Sequence, residues 1–406
     1  MRGYSSEKES FAKIPLKRDF ILWPIAMVLF FFTNSLLFWS LPVSITFAIK
    51  IVALALPLIF RVVLSHKLIV VGKHFIPKFV LVTSVLAVLY PMSQISGHGA
   101  PFLGQFLFIT VLVLVNFCVM ENGEIFSLFE KFERIVVFFA IISLFFWLFG
   151  ETLHIVPPMG TVHTEWSGTV ANYFFLHFGA QDTRNCGWFV EAPMYNLVLC
   201  TAIFFELFVR TKVNRWRLII LIITTITTFS TTGQLLMMGA LFVKFVVLSE
   251  RRLSIIQALL LFLAAVLVVA VIAAAATTIL QEKSEGLSYA VRLSFMLKEL
   301  RAFSHSPFLG HGFFTFSAGT SNSICLILAE GGLWQFFIYI TCLVVLPYRL
   351  SKIMNRPEFK YFFLFYFAAF SITVSPYLPI TYAVMASSAV LFFLEKKHLI
   401  SLYDEV

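Results

Sequence analysis

Long apolar runs alternate with short polar segments along most of this chain. A transmembrane α-helix needs about 20 consecutive apolar residues, and many of the runs reach that length. Such runs begin near Phe20, Leu41, Phe75, Pro101, Glu133, Trp188, Arg217, Gly233, Ser254, Ser321, Lys360 and Pro376. The pattern predicts an all-α fold, a polytopic integral membrane helical bundle of about 12 transmembrane helices. We expect residues 1–406 to form a single membrane domain.

Composition excludes an ordinary soluble protein. Hydrophobic residues make up 60% of the chain and charged residues 13%, against about 45–50% and about 25% in soluble domains. The first apolar run follows a basic segment and lacks a convincing small-residue cleavage site, so we expect a retained signal anchor. The 5 cysteines show no spacing typical of metal ligands, and we predict no metal site.

The distribution of Lys and Arg predicts how the spans are oriented, because positively charged short loops stay in the cytoplasm. With the amino terminus inside, basic clusters fall in the cytoplasmic segments, and both termini are cytoplasmic. The main clusters lie within residues 2–18, 61–78, 210–217 and 349–360. Topology therefore explains the net charge of +9, and nucleic acid is not expected as a partner.

Two predicted outer loops depart from this charge rule. They cover residues 151–187 and 281–320, and both are much longer than the other connections. Their cations are Arg184, Lys283, Arg292, Lys298 and Arg301. Long loops on one side of a helical bundle usually carry function. We therefore expect the functional site at the outer face.

The second outer loop is predicted to contain an amphipathic helix over residues 287–304. Apolar side chains recur there at helical spacing, at Leu293, Met296, Leu297, Leu300 and Phe303. We expect this helix to lie on the membrane surface or over the bundle. A headgroup-facing polar stripe is the expected role of Lys298 and Arg301.

The segment Arg184–Asn196 places Arg, Glu, Tyr and Asn side chains at the outer mouth of a predicted span. An ionisable group near the hydrocarbon is costly, and it usually lines a cavity or pairs with another charge. Glu191 and Arg184 are therefore candidate functional residues, and a structural ion pair at a helix start is the alternative. Tyr195 is a candidate contact for substrate.

A second set of motifs follows in the carboxyl-terminal half. It consists of Tyr-Ala-Val-Arg ending at Arg292, Pro-x-x-Gly-x-Gly from Pro307, Ser321-Asn322, and Glu-Gly-Gly from Glu330. The glycines permit a tight turn close to the membrane. Glu330 is a second carboxylate at membrane depth, which makes it a candidate functional residue.

Taken in order, these segments resemble the bacterial O-antigen polymerase and O-antigen ligase superfamily, especially its capsular and O-antigen repeat-unit polymerase branch. The string Arg-Asn-x-Gly-x-Phe-x-Glu-Ala-Pro-Met-Tyr, which begins at Arg184, favours the polymerase branch. The resemblance covers the twelve-span layout, and motifs support it from Arg184 to Leu333. Residues 1–150 match only in hydropathy.

The resemblance implies a glycosyltransferase of the bacterial cytoplasmic (inner) membrane. Its donor would be a glycan on undecaprenyl pyrophosphate at the outer leaflet, and the growing chain would pass to the nonreducing end of a new repeat unit. Outer arginines would hold the pyrophosphate, a role carried over to Arg184 and Arg292, with Tyr195, Asn322 and Glu330 as further substrate contacts. No cofactor is implied. The expected partners are this lipid-linked oligosaccharide, membrane lipid, a chain-length regulator and a flippase.

One position departs from the ligase pattern. Ligases carry His-Asn before the Glu-Gly helix, and that His is proposed to activate the acceptor hydroxyl, whereas this chain has Ser321-Asn322. Serine is a poor general base without help. This disfavours a ligase and leaves Glu191, His305 and His311 as alternatives for the acceptor base. A raised pKa would suit Glu191 to that role.

Two other classes remain as alternatives. A lipid-linked oligosaccharide flippase would also have many spans and cations for pyrophosphate. Such transporters often have two related halves and charges along a central path, and neither is clear in this chain. A structural membrane scaffold would not explain why Arg184 and Arg292 lie against the charge rule.

Overall fold

The computed structural model describes residues 20–33, 35–39, 41–65, 100–120, 122–164, 168–178, 184–248, 287–312, 315–316, 322–373 and 376–392. Within these ranges the chain is mostly helical. Three helices there are long and apolar enough to cross a membrane: Ser44–Arg61, Gly123–Thr152 and Ser323–Ile353. Shorter apolar helices accompany them, at Leu22–Phe31, Ile109–Val119, Ala192–Phe208, Thr231–Val247, Phe359–Ile372 and Pro379–Phe392.

The amino-terminal helices pack against one another. They are α1 Leu22–Phe31, α2 Leu36–Trp39, α3 Val43–Ser65, α4 Ala100–Val119 and α5 Asn122–Phe146. A π-helical turn over Trp147–Thr152 extends α5. α1 contacts both α3 and α5, and α3 contacts α4. Phe30 of α1 stacks on Phe139 of α5, with ring centroids 4.7 Å apart.

The later helices complete the bundle. They are α6 Ala192–Phe208, α7 Arg215–Thr227, α8 Thr231–Phe242, α9 Leu287–His305, α10 Ser323–Ile340, α11 Leu346–Ile353, α12 Phe359–Ile372 and α13 Pro379–Phe392. π-helical turns over Val243–Val247 and Thr341–Val345 follow α8 and α10.

Helix α6 occupies the centre of the described helices. Its sequence is apolar on every side, and a helix of that kind is buried on every side. It packs against α5, α7, α8 and α12. Phe204 and Phe208 of α6 contact Phe365 of α12, with centroid distances of 5.3 and 5.5 Å. Because its neighbours hold α6 on all sides, the residue at its amino-terminal end has a fixed position.

An ion-pair network joins α5, α6 and α7 at the carboxyl-terminal end of α6. Its contacts are Arg210 Nη2 to Glu130 Oε1 at 2.6 Å, Arg217 Nη1 to Glu133 Oε2 at 2.8 Å, and Arg210 Nε to Glu206 Oε2 at 3.2 Å. Glu133 and Glu206 are fully buried. Glu206 also accepts a hydrogen bond from the backbone N–H of Asn214. The network therefore fixes the turn between α6 and α7.

A small antiparallel sheet lies between α5 and α6. Its strands are β1 Gly160–Thr164, β2 Gly168–Tyr173 and β3 Leu176–His177, in the order β1-β2-β3. Val162 lies opposite Val170 in the register. The prediction of an all-α fold was wrong in this segment. Strands β1 and β2 both begin with Gly-Thr-Val, and β-branched residues such as Thr and Val favour strands.

The helices correspond to the predicted apolar runs in most places. A helix covers or begins close to each predicted start except those near Phe75 and Ser254, which lie outside the described residues. A helix spans Leu287–His305 in the segment predicted as the second outer loop, and its Leu293, Leu297 and Leu300 side chains are exposed. Twelve membrane spans remain a prediction.

Candidate functional site

The segment that begins at Arg184 is anchored by the residue that follows it. Asn185 is fully buried, and its Nδ2 donates hydrogen bonds to Ser143 Oγ at 3.2 Å and to Thr227 Oγ1 at 3.1 Å. Its Oδ1 accepts a hydrogen bond from the Gly187 N–H at 3.0 Å. One amide side chain thus connects α5, the end of α7 and this segment. Arg184 itself is exposed.

Tyr195 is a packing residue beneath this segment. Its side chain is fully buried, its hydroxyl lies 2.8 Å from Ser143 Oγ, and its ring stacks on Phe189 at 5.3 Å. Gly187 has a φ of +56°, and a Cβ there would lie 2.7 Å from the Tyr195 ring. Only glycine fits this position. The hydroxyl points inward to α5, and the substrate contact of Tyr195 stays a prediction.

Glu191 lies at the amino-terminal end of α6. Its backbone is extended, with φ −150° and ψ 154°, and its side chain makes no capping hydrogen bond. The backbone carbonyl instead accepts hydrogen bonds from the N–H groups of Met194 and Tyr195. The side chain is half-buried. The backbone of Glu191 is therefore fixed, while its carboxylate is not used to cap α6.

Arg292 of α9 acts electrostatically on Glu191. Burial raises the pKa of the Glu191 carboxyl above its ordinary value, and the positive charge of Arg292 partly opposes that rise. Arg292 is exposed. A guanidinium in this position can bind phosphate oxygens with two hydrogen bonds. A carboxylate with a raised pKa is a stronger proton acceptor than an ordinary carboxylate.

Glu299 is a functional candidate that the sequence analysis missed. It lies on α9 seven residues after Arg292, on the same face of the helix and roughly 10 Å along its axis. The carboxylate is fully buried and acts electrostatically on Cys325, in the first turn of α10. The seven-residue spacing of Arg292 and Glu299 could have indicated from the sequence that they share a helix face. The burial of the carboxylate could not be predicted, because it depends on packing between α9 and α10.

The Pro-x-x-Gly-x-Gly motif lies along a break in α10. At Gly332 the backbone leaves the helical region, with φ 63° and ψ −162°. Three backbone hydrogen bonds join the motif to the break: His311 N–H to Ala329 O at 2.9 Å, Gly312 N–H to Glu330 O at 2.9 Å, and Leu333 N–H to Pro307 O at 2.8 Å. The motif thus satisfies peptide groups that the break removes from the helix.

The two glycines that meet at this break have no room for a side chain. A Cβ on Gly310 would lie 2.3 Å from the carbonyl oxygen of Glu330, and a Cβ on Gly332 would lie 2.5 Å from the carbonyl oxygen of Phe308. Both glycines also have positive φ. The motif and the Glu-Gly-Gly string, which looked separate in the sequence, therefore form one structural unit.

Glu330 is held inside this unit. Its carboxylate is fully buried and accepts hydrogen bonds from the Phe316 N–H at 3.1 Å and from the Tyr377 hydroxyl. Close by, the Tyr339 hydroxyl donates to the Pro376 carbonyl at 2.6 Å. Tyr377 follows Glu330 by 47 residues, so no local sequence pattern identified it as a partner. The arrangement makes Glu330 a support for the broken helix.

The remaining predicted residues lie on the turns beside α10. Nδ1 of His305 donates to the Arg301 carbonyl at 2.7 Å, and Nε2 of His311 donates to the Ala302 carbonyl at 2.8 Å. Asn322 caps α10, accepting a hydrogen bond from the Cys325 N–H at 2.9 Å. Each residue has a structural role. Lys283 and Ser321 lie outside the described residues.

His177 of β3 is hydrogen-bonded to the segment that begins at Arg184. It is fully buried, and its Nε2 donates a hydrogen bond to the Phe189 carbonyl at 2.7 Å. Burial lowers the pKa of the imidazole, and this hydrogen bond opposes the shift. The backbone N–H of His177 also donates to the Gly187 carbonyl at 3.1 Å. The sheet is therefore attached to the residues that position Glu191.

The site thus combines exposed Arg292 with half-buried Glu191. Arg184 is exposed at the start of the segment that leads to Glu191, and no contact between the described residues joins it to Arg292. Within the described ranges, no group of three or more His, Cys, Asp or Glu side chains is placed to hold a metal ion. No family model, curated protein or solved structure matches this chain. The case for function therefore depends on the site and on the motifs.

Proposed function

We propose that this protein is a glycosyltransferase that polymerises undecaprenyl-pyrophosphate-linked oligosaccharide repeat units at the outer face of the bacterial cytoplasmic membrane. The product would be O-antigen or capsular polysaccharide. The proposal depends chiefly on one observation: the positive charge of exposed Arg292 acts on the carboxyl of half-buried Glu191, although the two side chains form no ion pair. A cation suited to pyrophosphate and a carboxylate suited to the acceptor would then lie on the same side of the protein.

In the proposed reaction, a hydroxyl of the new repeat unit attacks the anomeric carbon of the growing chain. The bond from that carbon to pyrophosphate breaks as the glycosidic bond forms. Glu191 takes the hydroxyl proton, and undecaprenyl pyrophosphate leaves with the bonding electrons. Arg292 and Arg184 bind the pyrophosphate and stabilise the charge that develops on it.

The other motif residues support these groups. The turn at Pro307–Gly312 follows α9 in the chain, and its hydrogen bonds to the break connect α9 with α10. Glu299 is a second candidate for the acceptor base because it is a buried carboxylate on the Arg292 face of α9. His305 and His311 are further candidates, since one ring nitrogen of each donates a hydrogen bond to a backbone carbonyl and the other nitrogen can accept a proton.

The proposal places the described helices in a larger bundle of about twelve spans with both termini in the cytoplasm. In that orientation Glu191 and Arg292 face outward. The ion-pair network at the carboxyl-terminal end of α6 then lies at the inner end of the bundle.

A flippase for lipid-linked oligosaccharide is the second candidate. The specific observation in its favour is the break in α10 at Gly332, because discontinuous helices form substrate sites in many transporters. An O-antigen ligase differs from the leading proposal only in its acceptor. Ser321 disfavours it, as does the use of Asn322 as a helix cap.

Glycan length in cells separates these functions. Cells lacking the protein are complemented with wild type, Arg184→Ala, Arg184→Lys or Arg292→Ala at equal membrane abundance. Lys298→Ala is the matched control, because Lys298 is another exposed cation of α9. We expect polymer from wild type and control, but only single repeat units from both alanine variants. Arg184→Lys should restore little chain extension, since lysine cannot replace a bidentate guanidinium.

Polymer of wild-type length from both alanine variants would overturn the proposed site. The cells without the protein identify the class of activity. Single repeat units on the cell surface indicate a polymerase. Full-length polymer on its lipid carrier indicates a ligase, and single units trapped inside indicate a flippase.

A further inference from the structure

A groove of about 240 Å³ lies between the end of the α10 region and α12, away from the proposed site. Its lining residues are Val344, Val345, Tyr348, Arg349, Lys360 and Leu364. Val345 and Arg349 are four residues apart on one helical element, and Lys360 and Leu364 are four residues apart on α12. Each pair therefore shares a helix face, about 6 Å from end to end.

The groove has one cationic end and one apolar end. Arg349 and Lys360 provide the charge, while Val345 and Leu364 are exposed aliphatic side chains. The Tyr348 ring lies at the charged end, with Lys352 Nζ 4.6 Å and Lys360 Nζ 5.5 Å from its centroid. Two ammonium groups thus lie close to one aromatic ring, and Arg349 lines the same groove.

This positive charge is not neutralised by the described part of the protein. Glu358 is the nearby carboxylate, and it is paired with Lys244 at 3.1 Å and with Arg356 at 3.4 Å. Among the described residues, Arg349, Lys352 and Lys360 have no carboxylate within ion-pair distance. Within the described ranges, no carboxylate therefore neutralises the charged end of the groove.

We propose that this groove is a binding site for one anionic phospholipid. The phosphate lies between Arg349 and Lys360, the Tyr348 hydroxyl is directed to the headgroup, and the start of one acyl chain packs along Val345 and Leu364. Basic pockets between membrane helices on the cytoplasmic side bind such headgroups. The apolar end distinguishes this site from one for a free anion, which would gain nothing from aliphatic walls.

Native mass spectrometry of the purified full-length protein in detergent tests the site. Phosphatidylglycerol and phosphatidylcholine are titrated separately, and bound lipids are counted. Four proteins are compared: wild type, Arg349→Gln/Lys360→Gln, Leu364→Trp, and the control Lys212→Gln/Arg215→Gln, which removes two exposed cations outside the groove.

We expect wild type and control to retain one phosphatidylglycerol and to bind phosphatidylcholine weakly. Loss of two cations should weaken phosphatidylglycerol binding roughly thirtyfold. Leu364→Trp keeps every charge but fills the apolar end, and it should also lose the lipid. This variant shows that a loss of binding does not come from the charge change alone.

Three results would overturn the site. They are equal phosphatidylglycerol retention by the groove variants and wild type, equal retention of phosphatidylcholine and phosphatidylglycerol by wild type, and a rise in melting temperature with inorganic phosphate as large as that with phosphatidylglycerol. The last result would identify a site for free phosphate. None of these measurements depends on the proposed transferase activity.

Discussion

The carboxylate of Glu191 is subject to two opposing effects. Burial raises its pKa, and the charge of Arg292 lowers it. Replacing Arg292 with Gln removes only the second effect, so the pKa should rise further. Arg292→Lys keeps the positive charge and should change it less. Infrared titration of the carboxyl stretch measures the midpoint, with Glu191→Gln used to assign the band.

Lys298→Gln is the control for this titration, because it removes another exposed cation from α9. The midpoint of wild type should lie above the ordinary carboxyl value. A titration midpoint in Arg292→Gln that is unchanged or lower than in wild type would contradict the effect of the Arg292 charge on Glu191. If Glu191 is the acceptor base, chain extension should also decline on acidification, once its carboxylate becomes protonated.

Sequence alone identified residues whose chemistry is unusual for their surroundings. Arg184, Glu191 and Arg292 were singled out because charges are costly near a membrane. It did not separate chemical from structural roles. Tyr195 has the composition of a substrate contact, but its partner Ser143 lies 52 residues away and is brought close only by packing of α5 on α6.

The broken helix α10 can be tested through its glycine. Gly332→Ala adds a Cβ at positive φ and 2.5 Å from the Phe308 carbonyl oxygen. The conformational strain alone is of order 1–3 kcal/mol, so the melting temperature should fall and chain extension should decrease. Thermal unfolding in detergent and glycan length provide the two measurements.

Gly239→Ala is the matched control, because its added Cβ would make only a contact of 3.4 Å with Phe365. Alanine is also favoured over glycine inside a helix such as α8. Gly239→Ala should therefore match or exceed the stability of wild type. Equal stability of Gly332→Ala and Gly239→Ala would be inconsistent with the break.

Element prediction succeeded where periodicity was strong. The helix expected over residues 287–304 occupies Leu287–His305, and the runs expected to begin near Arg217 and Gly233 correspond to α7 and α8. The sheet was missed because its strands are short and lie in a segment treated as a loop. The joining of Pro307–Gly312 to Glu330–Gly332 could not be predicted, since it depends on backbone hydrogen bonds between separate motifs.

At the scale of the whole molecule, the ion-pair network should contribute more to stability than its solvent-facing neighbours. Arg210→Gln leaves the buried Glu206 without its Arg210 partner. Breaking a buried pair costs about 3–5 kcal/mol. Thermal unfolding of purified protein should therefore show a large fall in melting temperature, accompanied by loss of monodisperse protein.

Arg215→Gln is the control for this prediction, because Arg215 is an exposed residue at the start of α7. Its replacement should leave the melting temperature almost unchanged. If both variants melted at the same temperature, the network would have little structural importance. The sequence analysis assigned Arg210 and Arg217 to topology, since charge counting cannot show which carboxylates they meet.

The length and hydropathy of the apolar runs were sufficient to predict a mostly helical chain. Three of the described helices meet the length and hydropathy that a span requires, while the full set of about twelve depends on helix lengths and orientation within a bilayer. Several apolar helices of the described chain are shorter than a span, including α6. Their membrane placement depends on neighbouring helices, which hydropathy does not describe.

The central claim is that this chain joins repeat units, and purified protein in proteoliposomes tests it most directly. Undecaprenyl-pyrophosphate-linked repeat units are added, and the length of the glycan is measured on gels. Wild type should convert single units into a ladder of longer chains, with far less product from Glu191→Gln. Single units that remain unjoined by folded wild-type protein, or are only moved across the bilayer, would contradict the account.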